Sequence, residues 1–348
     1  MNLQILWFLI VAFFWSGYFV LEGFDFGVGM LLPFLPRDEA EQGAMLESIG
    51  PVWDGNETWL VVAGGATFAA FPAWYASMFS GFYIALLLVL FFLIIRVVSF
   101  EWGEKSTSAR SRRVWVGANA LGSYGASLVW GIGLANLLHG VALDSNGDFT
   151  GTFWDLFTPY TVLAGVAVVA LFAFHGATFL TLRTTGDLCE RARRTAVRLS
   201  LPALALGAAF LVSTVAVATH RNDKDVFPPV LPAALAGAAL LCAVVLAGRR
   251  SGWAFVATAV GIAFVVATLF TSLYPRVMVS YPDFGNSLTV DNAASAHYTL
   301  AVMSVVAVIV LPLVLLYQGW TYHVFRHRIG GGEPAPDAGP ELRAQPGS

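Results

Sequence analysis

The chain has 348 residues, of which 57% are hydrophobic and only 12% are charged. Its mean hydropathy of +0.71 is too high for a soluble domain of this length. The apolar runs are continuous over about twenty residues, the length of a membrane-spanning helix, whereas the strands of a β-barrel would alternate over about ten. The formal net charge of −3 gives no indication of nucleic-acid binding. We therefore predict an all-α, multi-pass membrane protein.

Nine apolar segments follow one another along the chain as predicted membrane-spanning helices. Their approximate boundaries are residues 3–25, 54–74, 79–98, 114–138, 159–182, 198–219, 228–247, 252–274 and 297–320. The second segment is the weakest prediction, but its small residues, including Gly64 and Gly65, are typical of a helix packed tightly between others. Met1 to Val20 lacks a basic start and a small-residue cleavage site, so we expect the first segment to remain in the mature protein.

The positions of the basic residues predict how the chain is oriented in the membrane. With the N-terminus outside, sixteen of the 19 Lys and Arg residues fall on the cytoplasmic side. Arg221, Lys224 and Arg276 are the three on the outer side. We therefore predict an outer N-terminus and a cytoplasmic C-terminus. Residues 1–329 form the predicted transmembrane domain, and residues 330–348, rich in Gly, Pro and Ala, form a predicted disordered cytoplasmic tail.

Two pairs of acidic residues lie next to apolar sequence. Glu22 and Asp25 are three residues apart near the predicted cytoplasmic end of the first span, so they share a helix face. Asp54 and Glu57 have the same spacing and begin the second span from the same side. One interpretation is that these carboxylates are solvated or paired with Arg96 and act as structural anchors. The other is a proton path from the cytoplasm, because acids within a membrane need pairing, protonation or water.

Histidine is the side chain to consider for haem ligation. Of the six histidines, His175 alone lies deep in a predicted span, and no histidine pair at matching depth on two helices stands out. We expect His175 to be a hydrogen-bonded packing residue, with bis-histidine haem ligation as the alternative. Cys189 and Cys242 provide neither a disulfide framework nor a metal-binding motif.

Several motifs together resemble subunit II of the cytochrome bd quinol oxidases. These are GFDFGVGML (Gly23 to Leu31), WDGNETWL (Trp53 to Leu60), GGATFAAFPAWYASMFSGFY (Gly64 to Tyr83), Arg96 with Phe100 and Glu101, HGATFLTLR (His175 to Arg183) and LLYQGW in the last span. Each motif alone is a weak signal, whereas the combination is specific. The resemblance covers nearly the whole chain.

The resemblance implies a nine-helix subunit built from two four-helix bundles and one extra helix. Its partner, subunit I, would hold two haems b and one haem d together with the quinol-oxidising loop. The complex would oxidise membrane quinol and reduce dioxygen to water in the bacterial plasma membrane. This chain would bind no haem, although a quinone can sit in it as a structural ligand. Lipid is a further implied partner, and the presence of a small single-helix accessory subunit stays open.

The resemblance also implies roles for individual residues. Asp54, in the WDGN motif, would start a proton path along the subunit interface, and Asp25 is the acid of the GFD motif. Together with Glu22 and Glu57 they form the candidate proton path, and Trp59 would lie near a route for dioxygen. No catalytic or metal-binding residue is expected on this chain.

A proton-coupled secondary transporter is the alternative from another functional class. The same acidic residues and the glycine-interrupted helices favour it. The acids, however, lie at the inner end of the predicted spans rather than at the membrane midplane, and the two halves show no clear pair of broken segments. A haem-carrying membrane anchor is a third possibility, which requires a partner for His175.

Overall fold

The structure, a computed structural model, describes residues 2–222, 225 and 227–330. It consists almost entirely of helices, with one two-stranded antiparallel sheet in the connection before the last helix. The helices are α1 (Leu3–Leu31), α2 (Glu39–Ile49), α3 (Trp53–Ala70), α4 (Pro72–Gly81), α5 (Tyr83–Glu104), α6 (Ala109–His139), α7 (Pro159–Arg183), α8 (Gly186–Arg221), α9 (Phe227–Leu246), α10 (Ser251–Leu273) and α11 (His297–Val324). The strands are β1 (Arg276–Met278) and β2 (Leu288–Thr289), and short 3₁₀ turns lie at Phe153–Leu156 and Phe284–Asn286.

Eight helices in the described part of the chain are long and apolar enough to cross a membrane, namely α1 and α5 to α11. This confirms the prediction of an all-α, multi-pass membrane protein. The second predicted span corresponds mainly to α3, which is not among the eight. Its first two turns carry Asp54, Asn56 and Glu57, and these polar side chains lower its hydropathy. The count of nine spans and their orientation therefore stay predictions, and residues 331–348 of the predicted tail lie outside the described residues.

Three predicted boundaries near the N-terminus were wrong. The first span was predicted to end at residue 25, but α1 continues to Leu31 because its apolar residues stay buried to that point. The second span was predicted to run through Pro72, but α3 ends at Ala70. Phe71 precedes a proline, which disfavours helical backbone, and Pro72 instead begins α4, where its missing N–H costs nothing. The third span begins later than predicted, at Tyr83.

Segments predicted as loops contain further structure. The basic segment before residue 198 is the first part of α8, where Leu188, Ala192 and Ala196 recur every fourth residue and are buried. The predicted outer loop from Pro275 to Ala296 contains the β1–β2 pair. This hairpin region also bonds to the end of α6, since the Val279 N–H donates to the Leu137 carbonyl at 2.9 Å.

Helix α1 lies at the centre of the fold. It packs against α3, α6, α7 and α10, and every residue from Glu22 to Leu31 is buried. Glycine permits the closest of these contacts. A Cβ atom at Gly27 would lie 2.8 Å from the backbone N and Cα of Gly176 on α7. The polar residues of α1 are therefore enclosed by other helices rather than facing lipid.

The remaining helices surround this centre. Helices α7, α8, α9 and α10 contact one another in sequence, and α10 closes the group by packing on α7. Helix α2 joins one end of the fold, where Glu41 pairs with Arg191 of α8 and Glu39 with Arg112 of α6. Helix α11 packs lightly on α1 and α3, and most of its side chains are exposed in this chain.

The small residues of α3 pack closely on only part of the helix: Ala63 is fully buried, whereas Gly64 and Gly65 are not closely packed by the described residues. No described atom lies within 4 Å of a Cβ built at either glycine. Between α3 and α5 lies an apolar cavity of about 560 Å³ instead, and both glycines line it. Tyr75 and Phe79 of α4 also line this cavity.

Candidate functional site

The candidate site is a cluster of buried acidic residues on α1, α3 and α5. Glu22 and Asp25 lie on α1 and neither side chain has exposed surface. Because α1 continues to Leu31, Glu22 is nine residues before the helix end, or about 13 Å along the axis at 1.5 Å per residue. The two carboxyl groups are thus further inside the protein than the predicted boundary at residue 25 implied.

Arg96 joins two of the acids. Its Nη1 atom donates to Glu22 Oε1 at 2.7 Å and to Glu57 Oε1 at 2.9 Å. The guanidinium has no exposed surface and lies between two aromatic rings, 4.9 Å from the centroid of Phe26 and 5.3 Å from that of Phe100. Aromatic faces attract a desolvated cation, so the rings and the carboxylates together hold the charge of Arg96 in the protein interior.

Asp25 belongs to a second, neighbouring network. Its Oδ2 atom accepts a hydrogen bond of 2.6 Å from the amide of Asn56 on α3. The Oδ1 atom of Asn56 accepts in turn from Tyr322 at 2.7 Å and from Gln318 at 3.2 Å, both on α11. The Asn56 side chain thereby links the centre of the fold to the last helix.

Asp54 lies apart from these buried groups. Its side chain is exposed at the first turn of α3 and makes no hydrogen bond to the described residues. Glu57, one turn further along α3, is 21% exposed and bonds Arg96. The acids on α3 therefore run from the surface inward, from Asp54 to Glu57 and then to the Arg96–Glu22 pair.

Several polar atoms of the cluster have no hydrogen-bond partner among the described residues. These atoms are Nε and Nη2 of Arg96, Oε2 of Glu22 and Oδ1 of Asp25. Buried polar atoms of this kind are normally satisfied, by water if not by protein. Three carboxyl groups lie around one guanidinium here, so the cluster has more acidic groups than positive charges, a composition typical of proton-exchanging sites in membranes.

Trp59 of α3 packs against α1. Its side chain is 6% exposed and contacts Phe13 and Phe14, with ring centroids 5.9 and 6.2 Å apart. Its ring also lies directly over Gly17, where a Cβ atom would collide with it. Trp59 is thus a buried apolar packing residue, three residues after Asn56 on α3.

His175 is surrounded in a way that does not fit haem ligation. Its Nδ1 atom lies 2.6 Å from the Thr258 hydroxyl, and its Nε2 atom lies 3.2 Å from the Val20 carbonyl oxygen. The ring also stacks on Phe255, with centroids 4.6 Å apart. Both ring nitrogens are engaged and one face is covered. Among the described residues, no group of three or more His, Cys, Asp or Glu side chains has the arrangement of a metal site.

The sequence analysis missed three polar members of the site. Asn56, Gln318 and Tyr322 were not predicted to belong to this site, although Asn56 and Gln318 stand within the motifs WDGNETWL and LLYQGW. A polar amide one turn from apolar residues in a membrane helix is the signal that could have identified Asn56. Nothing in the local sequence indicates that Gln318 and Tyr322 reach it, because they are more than 260 residues away along the chain.

Comparison with known proteins identifies the family. The family model for cytochrome bd terminal oxidase subunit II matches residues 3–325. The chain is 40% identical to cytochrome bd ubiquinol oxidase subunit 2 of Bacillus subtilis (strain 168), over 96% of this chain and 98% of that protein. It is 37% identical to cytochrome bd-I ubiquinol oxidase subunit 2 of Escherichia coli (strain K12), over 92% and 93% of the two chains.

A solved structure shows the same fold. A chain of the bd oxidase from Geobacillus thermodenitrificans matches with a TM-score of 0.76 and 19% identity, covering 93% of this chain and 99% of that one. The family match spans almost the whole chain and includes all the acidic residues described above. The chain therefore belongs to the cytochrome bd terminal oxidase subunit II family.

Proposed function

We propose that this chain is the haem-free subunit II of a quinol:oxygen oxidoreductase in the bacterial plasma membrane. It scaffolds subunit I, which holds two haems b and one haem d, and the complex reduces dioxygen to water with electrons from membrane quinol. Family membership supports the assignment to the oxidase. The engaged ring nitrogens of His175 support the absence of haem from this chain. Lipid is a further proposed partner.

The proposed role of the chain in the reaction is to deliver protons. Asp54 takes up a proton at the surface, Glu57 receives it one turn along α3, and the Arg96–Glu22 pair lies next in line. Asp25 is held beside this path by Asn56. The observation that carries the proposal is the bonding of one buried guanidinium to a fully buried and a partly exposed carboxylate. Such an arrangement connects the interior to the surface by groups that can exchange protons.

Two apolar features support the remaining roles. Trp59 packs with Phe13 and Phe14 in an apolar cluster of which Phe13 is exposed, and this cluster suits the proposed dioxygen route. The cavity between α3 and α5 has a volume of about 560 Å³ and an apolar lining that includes Tyr75 and Tyr83. Its size lies within the range of small-molecule pockets, and we propose it as the place of a structural quinone.

The proposed topology has nine spans, with the N-terminus outside and the C-terminus in the cytoplasm. Helix α3 is the ninth span in this scheme, and its contacts with α1 support its place within the bundle. The ends of α1, α5 and α7 and the beginnings of α3, α6 and α8 then lie on the cytoplasmic side, where the arginines concentrate. Asp54 would face the cytoplasm. None of the comparisons supports the alternative of a proton-coupled transporter.

Replacement of Asp54 by asparagine tests the proton path. The amide keeps the size and hydrogen-bonding capacity of the side chain but cannot donate or take up a proton near neutral pH. We expect Asp54→Asn to retain the haem content of the assembled complex and to lower quinol oxidase turnover by about tenfold or more, a barrier increase of ~1.4 kcal/mol. Oxygen consumption per haem d measures the effect.

Glu47→Gln is the matched control, because Glu47 is an exposed carboxylate on α2 outside the acid cluster. Its turnover should equal that of the parent. Normal turnover of Asp54→Asn with full haem content would remove Asp54 from the mechanism. Loss of haem in that variant would assign Asp54 a structural role instead.

A further inference from the structure

A crevice opens between α2 and the beginning of α6, on the same side of the protein as Asp54. It has a volume of about 480 Å³ and a partly polar lining. Residues on its walls include Arg37, Gln42, Arg112 and Arg113. Charged side chains at its mouth keep such a crevice accessible to water. Its position is distinct from that of Asp54, which lies at the beginning of α3.

A smaller cavity between α2, α5 and α6 adjoins the crevice. Gln42 and Arg112 line both spaces, and Ser99 and Asn119 line only the inner one. The inner cavity leaves about 10 Å³ for the centre of a water molecule. This is close to the minimum of ~10–15 Å³ needed to hold one water, which also requires two or more polar partners. The inner cavity therefore suits a single water molecule.

Asn119 supplies such a partner. Its side chain is 2% exposed, and its Nδ2 atom donates to the Ser99 hydroxyl at 2.9 Å. Its Oδ1 atom has no hydrogen-bond partner among the described residues. Leaving a buried amide oxygen without a donor is unfavourable, and a water in the adjoining cavity removes that cost. Helix α1 makes room for the amide with Gly29, where a Cβ atom would lie 2.5 Å from Asn119 Oδ1.

The inner cavity adjoins the acid cluster. The Ser99 hydroxyl, which accepts from Asn119, donates to the Arg96 carbonyl at 2.5 Å. Gly122, one turn after Asn119 on α6, packs directly on Arg96, since a Cβ atom there would lie 3.0 Å from Arg96 Cβ. The Nε and Nη2 atoms of Arg96 and the Oε2 atom of Glu22 are buried and have no hydrogen-bond partner among the described residues. The inner cavity is therefore separated from the backbone of Arg96 by the Ser99 side chain, which lines the cavity and bonds the Arg96 carbonyl.

We propose that this crevice is a second water channel to the Arg96–Glu22 pair, with Asn119 at its narrowest point. Water in the inner cavity bonds Asn119 and connects the solvent to the buried pair without passing Asp54. The second channel rests on the proposed proton-delivery function and adds a separate point of access to it. Glu22, rather than Asp54, is then the acid at which the Asp54 path and the second channel meet.

Two substitutions at Asn119 test the second channel in the assembled oxidase. Asn119→Leu has nearly the same size but no polar atom, so it should dry the narrowest point. Asn119→Ser keeps a hydroxyl and leaves more space for water. Each substitution is made in the parent chain and in the Asp54→Asn variant. Oxygen consumption is then measured per haem d. We expect Asn119→Leu to lower the residual turnover of Asp54→Asn by about tenfold or more, and Asn119→Ser to leave it unchanged.

The combination of variants separates the second channel from the Asp54 path. If Asp54→Asn alone has full turnover, the proposal for Asp54 fails, while a lower rate of Asn119→Leu in the parent chain still supports the second channel. Equal rates of Asn119→Leu and Asn119→Ser in both backgrounds would overturn the second channel, whatever the effect of Asp54.

A further variant covers the case in which Asn119→Leu fails to assemble with haem. Gln42→Trp fills the crevice from its partly exposed outer wall, away from the buried residues of α6. We expect the same loss of residual turnover in the Asp54→Asn background. A Gln42→Trp variant with full haem content and unchanged turnover would then contradict the proposal.

Discussion

Arg96 supplies positive charge to the buried acid cluster. Its guanidinium bonds Glu22 and Glu57 and has no exposed surface. Removing one member of a buried ion pair leaves the other charge unpaired and costs about 3–5 kcal/mol. We therefore expect Arg96→Gln to lower both the yield of haem-containing oxidase and its thermal midpoint in detergent, measured by haem absorbance during heating.

Lys105→Gln is the control for this experiment. Its bridge to Glu101 joins side chains that are 70% and 68% exposed, and bridges of this kind contribute about 0–1 kcal/mol. The thermal midpoint should hardly change. The double variant Arg96→Gln with Glu22→Gln should recover part of the stability, because Glu22 is then no longer a buried, unpaired charge. If Arg96→Gln alone had the same thermal midpoint as the parent, the buried pair would not stabilise the subunit.

At the residue scale, the sequence was sufficient to identify the acidic residues of the cluster but not all of their hydrogen-bond partners. The three-residue spacing of Glu22 and Asp25 predicts a shared helix face, and the structure places both on the buried side of α1. Arg96 could be named as a charge partner because it ends the third predicted span on the same side. Tyr322 could not be found in this way, since only the packing of α11 brings it to Asn56.

The close contact between α1 and α7 sets the position of the acids at the element scale. Gly27 and Gly176 face each other, and a Cβ atom at position 27 would lie 2.8 Å from the backbone of Gly176 and closer still to the Phe172 carbonyl oxygen. Forcing extra atoms into such a contact costs about 1–3 kcal/mol. We expect Gly27→Ala to lower the thermal midpoint and the turnover together, because α1 moves away from α7 and carries Glu22 with it.

Gly133→Ala on α6 provides the matched comparison. No described atom lies within 4 Å of a Cβ at this position, and alanine favours a helix over glycine by about 0.8–1 kcal/mol. This variant should be as stable as the parent or slightly more stable. Equal midpoints for Gly27→Ala and Gly133→Ala would show that the α1–α7 contact tolerates a methyl group.

At the same scale, hydrophobic runs located the helices but not all their ends. α1 continues past its predicted end because the glycines and aromatic residues after Asp25 remain buried. α8 begins before its predicted start because its basic first turns bury alanine and leucine on one face. A membrane helix can extend into the aqueous region, where hydropathy no longer marks its boundary. The Phe71–Pro72 break, by contrast, could have been predicted, because the residue before a proline disfavours helical backbone.

At the scale of the whole molecule, the exposed apolar surface of α11 indicates that this helix faces lipid or another chain. Val308 and Leu316 are 75% and 71% exposed, and Leu300 is the one residue of the helix that is buried. We expect the tagged chain, purified in mild detergent from its own membranes, to bring a second polypeptide with it. A reduced-minus-oxidised spectrum of the preparation should show bands of haem b and haem d.

The same chain produced without other subunits serves as the control and should give no haem bands. A colourless single polypeptide from native membranes would contradict the oxidase assignment. Haem on the isolated chain would contradict the assignment of the haems to subunit I.

The fold class and the family could both be predicted at this scale, because continuous apolar runs and several specific motifs extend along nearly the whole chain. The cavity between α3 and α5 could not. It is lined in part by Tyr75 and Phe79 of α4, a ten-residue helix that the hydrophobic pattern did not separate from its neighbours. The side chains around Gly64 suggested close packing, and only the course of the backbone shows that they border an opening instead.

The polar character of α3 has a consequence for biogenesis. A helix that begins with Asp54, Asn56 and Glu57 partitions less readily into lipid by itself, because charged and polar residues reduce the free energy gained on insertion. α1 is synthesised first and supplies the surface on which α3 packs. In the nine-span topology that we propose, the translocon therefore has to retain α1 until α3 emerges from the ribosome. The two helices then enter the bilayer as a pair, with Asn56 already facing Asp25 rather than hydrocarbon.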